Sequence, residues 1–152
     1  MKFKSCNQRR RFCSLLVAIL WALAWAGTGY GASQVTVYYF HSTARCAECL
    51  NIEEMAEATL RGNFAAELAG GRLSWRSINA DLPEHSHYVF DYELAANELV
   101  VATDSPPENG GWKKLAEVWT LAHDPETFRS RLVPLVEEAL NATEQQHERR
   151  AQ

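Results

Sequence analysis

The sequence has little of what marks disordered or repetitive proteins. Its 152 residues include only 8 Gly and 5 Pro, and they are 47% apolar and 22% charged. That composition excludes a low-complexity chain and fits a single globular domain. Positive charge is scarce beyond residue 26, where ten basic residues face 19 acidic ones. The resulting charge of −9 disfavours nucleic acid and anionic membrane surfaces as partners, since both are bound through Lys and Arg.

The N-terminus has the three-part pattern of a secretory signal. A basic stretch ends at Arg11, an apolar run follows, and the run closes on Ala24-Trp25-Ala26, which has the small-x-small form of a cleavage site. We therefore expect residues 1–26 to be a signal peptide and residues 27–34 to be a linker. The mature chain is then periplasmic or secreted.

Two alternatives to this cleavage are open. The cut can fall later, near Ala32, or the segment can stay in place as a membrane anchor. Residues 12–44 contain no charged side chain, which favours an anchor. The strongly apolar part is nevertheless shorter than the roughly 20 residues that span a bilayer, which favours cleavage. No membrane contact beyond this leader is expected.

Cysteine is nearly absent from the mature chain. Removal of the leader takes Cys6 and Cys13 with it and leaves only Cys46 and Cys49. A mature domain of 126 residues buries enough apolar surface to fold without a disulfide. A bridge across so short a loop also stabilises the fold little, because it removes little chain entropy from the unfolded state. The two cysteines are therefore predicted to take part in chemistry rather than to stabilise the fold.

Hydrophobic periodicity predicts alternating strands and helices. Residues 35–41 are β-branched and aromatic without alternation, which is typical of a central parallel strand that is covered on both faces. Apolar residues then recur every fourth position, which predicts an amphipathic helix that bends or breaks near Gly62 and ends at Gly70-Gly71. The apolar positions of this helix are Ile52, Ala56, Leu60, Phe64 and Leu68. The next elements are predicted as a strand at 73–79, a short helix at 84–92, a strand at 99–103 and a brief strand at 112–113.

A long helix is predicted at the C-terminus. Asp124 can cap it, with Pro125 at its first position, and Pro134 is expected to kink it. Its expected buried stripe is Phe128, Leu132, Leu135, Val136, Ala139 and Leu140. Residues 141–152 are polar and are expected to fray as a tail, so the domain is predicted to cover residues 35–140.

The Cys46-Ala47-Glu48-Cys49 motif lies where the first strand gives way to the first helix. Unpaired backbone N–H groups and the helix dipole at that point stabilise a thiolate on Cys46. Arg45 supports this charge, whereas Glu48 opposes it. Cys49 lies three residues before Ile52 and so on the buried face. This placement suits an exchange in which Cys46 attacks and Cys49 resolves the mixed disulfide.

This order of elements, with the two cysteines opening the first helix, resembles the thioredoxin fold over residues 35–140. The resemblance implies an α/β fold with a four- to five-stranded mixed sheet flanked by helices. The sequence is more narrowly similar to a bacterial family of thioredoxin-like proteins labelled nitrophenyl-compound nitroreductase subunits. The segments that carry this similarity are Val37-Tyr-Tyr-Phe-His41, Cys46 and Cys49, Leu73-Ser-Trp-Arg76, Asp91-Tyr-Glu-Leu94 and Leu99-Val-Val101. No flavin- or nicotinamide-binding motif is visible, so the label names a family rather than a reaction of this chain.

The sequence departs from thioredoxin at three places around the dithiol. Ala96-Asn97-Glu98 stands where thioredoxins carry a cis-proline, Arg45 replaces the tryptophan before the first cysteine, and the first strand holds no acidic residue. We therefore expect a thiol–disulfide oxidoreductase that serves a dedicated protein partner, with the Cys46–Cys49 disulfide in place of any cofactor.

Two other functions are open at this stage. Thioredoxin-like sites without the proline are implied to bind metal more readily, and His41, His85 and His87 stand at strand or helix ends on one edge of the sheet. Cys46 and Cys49, together with His41 or His87, would then hold zinc or copper. Alternatively, the protein is a redox-inactive subunit of an oxidoreductase complex.

Overall fold

The structure is a computed structural model and describes residues 35–152. The predicted signal peptide and linker lie outside these residues. Within residues 35–152, no helix is both long enough and apolar enough to cross a membrane.

Strands and helices alternate along the chain as the periodicity predicts. The strands are β1 (Val35–His41), β2 (Leu73–Asn79), β3 (Glu98–Thr103) and β4 (Trp112–Lys114). The α-helices are α1 (Ala47–Asn63), α2 (Ala65–Ala69), α3 (Ser86–Asp91) and α4 (Pro125–Ala151). Two short 3₁₀ turns, Pro83–His85 and Pro107–Asn109, precede α3 and β4.

The four strands form one mixed sheet in the order β2-β1-β3-β4. β1 pairs in parallel with β2, from Val35 opposite Leu73 to His41 opposite Asn79. β3 runs antiparallel to both β1 and β4. β1 is therefore central, as predicted, but only one of its two neighbours is parallel. This mixed sheet, with helices between its strands, has the order and pairing of the thioredoxin-like fold.

The central strand divides the core into two layers, because successive side chains point to opposite faces of a sheet. Val35, Val37 and Tyr39 face the larger cluster, which is built with α1 and α4. Phe40 faces a smaller cluster with Tyr92, Val100 and Ala102. Burial on both faces explains why β1 lacks the alternation of a half-exposed strand.

The first helix breaks where the sequence indicates. α1 ends at Asn63, one residue after Gly62, and α2 follows from Ala65 to Ala69. Phe64, between them, is 5% exposed and so continues the apolar stripe across the break.

The long C-terminal helix begins as predicted but ends later. The Asp124 side chain accepts a hydrogen bond from the Thr127 N–H, and Pro125 is the first helical residue. The expectation that residues 141–152 fray is wrong, because α4 continues to Ala151. Thr143 explains part of the difference, since it is only 1% exposed and its hydroxyl donates to the backbone carbonyl of Leu140 at 2.8 Å. Most of its sequence neighbours are polar, so their composition alone gives no signal of that burial.

Candidate functional site: a disulfide at a helix N-terminus

Cys46 and Cys49 form a disulfide bond at the start of α1. Cys46 is the N-cap residue, in extended backbone conformation. Its sulfur accepts the Cys49 N–H at 3.1 Å, and the Cys49 sulfur accepts the Cys46 N–H at 3.2 Å. Both sulfurs therefore stand in for the oxygen acceptors of an ordinary capping box. Negative charge on either sulfur is favoured there by free N–H groups and by the helix dipole.

The two cysteines differ in their access to solvent. Cys46 is exposed at the tip of the helix, whereas Cys49 is 3% exposed and packs on the same face as Ile52. The exposure predicted from the spacing is confirmed for both residues. A sulfur atom of another protein therefore has direct access to Cys46 but not to Cys49.

Tyr39, in the central strand, fixes the backbone of the buried cysteine. Its hydroxyl donates a hydrogen bond to the backbone carbonyl of Cys49 at 3.0 Å, and its side chain is fully buried. Burial raises the pKa of Tyr39 to about 12, against a smaller opposing effect of the Arg45 charge. The phenol is thus a neutral donor at physiological pH. The sequence shows Tyr39 only as a strand residue, because its contact with Cys49 depends on how α1 crosses β1.

The positive charge of Arg45 is shared with a carboxylate and does not act on Cys46 alone. Its guanidinium forms a salt bridge with Glu53, and both side chains are 24% exposed. Burial would raise the pKa of Glu53, but hydrogen bonds with Ser77 and Arg45, together with the charges of Arg45 and His41, hold it below its usual value. The Nε of Arg45 is buried and has no hydrogen-bond partner among the residues that the structure describes. Much of the positive charge predicted to support Cys46 is therefore compensated by Glu53, which the sequence analysis missed.

Glu48, the other predicted supporting residue, lies in the first turn of α1 and is exposed. Water and salt screen the charge of an exposed carboxylate, so the repulsion between Glu48 and a thiolate on Cys46 is weak.

Asn97 occupies the place beside the disulfide where the sequence analysis notes a missing proline. Its side-chain Nδ2 lies 3.4 Å from the Cys49 sulfur, and its Oδ1 accepts the Ser42 N–H at 3.0 Å. No peptide bond between residues 35 and 152 is cis. The only signal for Asn97 in the sequence is its position in the loop before β3, which does not reveal which groups its amide reaches.

The histidines do not join the cysteines. His41 Nδ1 lies 2.9 Å from the Ser42 carbonyl oxygen, and His85 Nδ1 lies 2.8 Å from that of Asn79. The ring of His87 packs on Tyr88 with centroids 4.0 Å apart. Within the described part of the chain, no group of three or more His, Cys, Asp or Glu side chains is placed to hold a metal ion. The ligand set of Cys46, Cys49, His41 and His87 is thus not gathered in this disulfide form.

Comparisons with known proteins find no family match, but they do find likeness to solved structures. No family model matches the chain, and no curated protein matches it. A solved structure that it resembles is a thioredoxin from Thermus thermophilus, with 17% sequence identity over 61% of this chain and 77% of that chain and a TM-score of 0.32. The description as thioredoxin-like therefore stands on the strand order and pairing given above. The narrower resemblance to nitroreductase subunits stays a prediction.

Proposed function

We propose that this protein is an exported thiol–disulfide oxidoreductase that exchanges its Cys46–Cys49 disulfide with a dedicated protein partner. One observation carries the proposal: an exposed sulfur at a helix N-terminus is bonded to a buried sulfur one turn further along. A purely structural disulfide needs no such difference in exposure. Exchange does need it, because the attacked sulfur must be reachable and the leaving sulfur must be held nearby.

The exchange proceeds in two steps that balance. A thiolate of the partner attacks the Cys46 sulfur, the bond between Cys46 and Cys49 breaks, and its electron pair leaves on the Cys49 sulfur. A second partner thiolate then attacks the partner's own sulfur in the mixed disulfide and releases Cys46 as a thiolate. The partner loses two electrons and gains a disulfide, while this protein becomes a dithiol. The same steps in reverse begin with attack by Cys46 on a partner disulfide, and Cys49 resolves the intermediate.

The surroundings of Cys46 support a dedicated partner over a broad range of substrates. The residue before Cys46 is the ion-paired Arg45 instead of a flat aromatic side chain. Leu50, which directly follows Cys49, is 52% exposed and offers an apolar contact beside the disulfide. Export rests on the predicted leader, residues 1–26. If the narrower family resemblance holds, the partner is a subunit of an oxidoreductase complex.

The test is equilibration with glutathione, using the full chain with Cys6 and Cys13 replaced by serine so that only two thiols titrate. We expect a reversible two-electron transition and a mixed disulfide at Cys46. Cys46→Ser should abolish exchange and leave the helix intact, because serine is a favoured N-cap residue. Cys49→Ser, the matched variant, should instead accumulate the mixed disulfide.

Three results would replace the proposal. Exchange by Cys46→Ser at the parental rate would remove the role given to Cys46. A disulfide that stays closed in every glutathione buffer would favour a redox-inactive subunit. Stoichiometric zinc or copper that protects both thiols of the reduced protein would favour a metal-binding module.

A further inference from the structure

We infer that Asn97 is a positioning residue of the exchange reaction, whose side-chain amide stabilises the Cys49 sulfur when that sulfur leaves as a thiolate. This inference rests on the proposed function. It assigns a role to a residue that neither the cysteine spacing nor the resemblance to thioredoxin points to, and it gives the site a hydrogen-bond donor where a proline would offer none.

The orientation of the Asn97 amide follows from its two neighbours. The Ser42 backbone N–H can only donate, so the atom of Asn97 that faces it at 3.0 Å must be the oxygen. The amide nitrogen is then the atom that faces the Cys49 sulfur at 3.4 Å. Because Ser42 directly follows β1 and Asn97 directly precedes β3, these adjacent antiparallel strands hold the amide in place.

The position matters because the Cys49 sulfur has few other donors. Cys49 is 3% exposed, so water has little access to its side chain. Within the described residues, the hydrogen bonds recorded to its sulfur come from the Cys46 N–H at 3.2 Å and from Asn97. A charge with so little hydration depends strongly on the donors that remain, since a hydrogen bond to a charged group is worth more than one to a neutral group.

The amide acts at the step in which the Cys46–Cys49 bond breaks. The partner thiolate bonds to the Cys46 sulfur, and the electron pair of the broken bond comes to the Cys49 sulfur. The Asn97 N–H group then faces a thiolate instead of a neutral sulfur, and its hydrogen bond strengthens. This stabilisation lowers the barrier to breaking the bond. At a pH where Cys49 is ionised in the dithiol, it also favours the reduced form, so that Asn97 makes the disulfide a stronger oxidant there.

Asn97→Asp separates the two contacts of the amide. An aspartate oxygen still accepts the Ser42 N–H, but its second oxygen presents negative charge and no donor to Cys49. In the full chain with Cys6 and Cys13 replaced by serine, and at a pH above the titration midpoint of Cys49, we expect the glutathione equilibrium to shift about tenfold towards the disulfide. That shift is about 30 mV for this two-electron couple. Asn97→Ala should shift it in the same direction by less. It also serves as the second variant if the aspartate form does not fold.

Asn63→Asp is the matched control, with the same change of charge. The Asn63 amide donates to the Thr59 carbonyl at 2.7 Å, at the opposite end of α1 and about 21 Å along the helix from Cys49. The control should leave the glutathione equilibrium unchanged.

A second readout does not require exchange. In a Cys46→Ser background in which Cys6 and Cys13 are also replaced by serine, the ultraviolet absorbance of the Cys49 thiolate is followed against pH, with and without Asn97→Asp. We expect the aspartate to move the midpoint upward by about one pH unit, the same tenfold change. A merely structural role for Asn97 would lower thermal stability and leave this midpoint in place.

The outcomes distinguish the inference from the proposed function. If the parent protein equilibrates with glutathione but neither Asn97 variant changes the equilibrium or the midpoint, the role of Asn97 is overturned and the proposed function stands. If the parent disulfide does not respond to glutathione, the proposed function fails and the role of Asn97 fails with it. A shift that Asn63→Asp reproduces would assign the effect to net charge and would also overturn the inference.

Discussion

Tyr39 shows how a single residue joins the core to the reactive pair. The phenol is buried beneath α1 and its hydroxyl holds the backbone carbonyl of Cys49 at 3.0 Å. Loss of the hydroxyl leaves that buried carbonyl with one partner fewer, a type of change that costs about 1 kcal/mol. Tyr39 is therefore a suitable residue at which to test how stability depends on pH.

Tyr39→Phe is expected to lower the free energy of unfolding by about 1 kcal/mol at pH 7, measured by urea denaturation. Folding raises the pKa of Tyr39 from 10.0 to about 12, so the native state keeps a proton that the unfolded chain loses over that range. Stability from this group is therefore complete below pH 10 and falls as the pH rises towards 12. The variant should show a shallower alkaline loss than the parent. Equal slopes would mean that Tyr39 is not the group responsible.

The Arg45–Glu53 pair gives a prediction in the acid range. Burial would raise the pKa of Glu53 above its usual 4.5. Its hydrogen bonds with Ser77 and Arg45, together with the charges of Arg45 and His41, hold it below that value in the native state. Its contribution is present above the unfolded value and is lost as the pH falls through the native value. Glu53→Gln should cost about 1 kcal/mol at pH 7, and the cost should shrink steadily as the pH falls below 4.5, in paired urea titrations. Glu54→Gln, on the exposed neighbour, should change neither.

At the residue scale, the sequence predicts the cysteines better than their surroundings. The exposure of Cys46 and the burial of Cys49 follow from the helical period, which acts over a few residues. Tyr39 and Asn97 contact Cys49 across 10 and 48 residues of chain. Such contacts depend on how α1 packs against the strands. The periodicity of a single sequence does not indicate that packing.

Strands and helices could be predicted where the hydrophobic pattern and the residues that end an element agree. The bounds of β1 match because a run of β-branched residues ends at a polar loop, and α1 ends near Gly62 because glycine is a weak helix former. The antiparallel direction of β3 was not evident, since a buried strand has the same apolar composition in either direction.

Gly62, in α1, and Gly110, in the turn before β4, form a matched pair for testing how backbone conformation affects stability. A Cβ added at either position has nothing within 4 Å, but only Gly110 has a positive φ, at +69°. Gly62→Ala should therefore stabilise the protein by about 0.5–1 kcal/mol, because alanine is the better helix former. Gly110→Ala should destabilise it by about 1 kcal/mol, because an L side chain is strained in the left-handed region. Urea titrations that moved both variants in the same direction would contradict this account.

At the scale of the whole molecule, the two-layer core explains why so much of the fold could be predicted. Four strands and the helices on both faces bury the apolar residues that the periodicity marks, including Phe128, Leu132 and Val136 on α4. The end of α4 was misjudged because the last residue described as buried is Thr143, and a threonine among mostly polar residues carries no hydrophobic signal.

The true end of the domain can be located by two truncations. A chain that stops after Ala142 loses Thr143, whose hydroxyl donates to two carbonyls of the preceding turn at 2.8 and 3.1 Å, and frays the turn that buries Leu140. We expect it to lose about 1–2 kcal/mol of stability, seen as a lower thermal midpoint. A chain that stops after Gln146 keeps Thr143 and the Glu144–Arg72 pair, and should lose less than about 0.5 kcal/mol. If both truncations match the full chain, residues beyond Leu140 form a dispensable tail. If only the shorter chain is destabilised, the domain extends through Thr143, because the packing of that one side chain holds the last turns of α4 on the core.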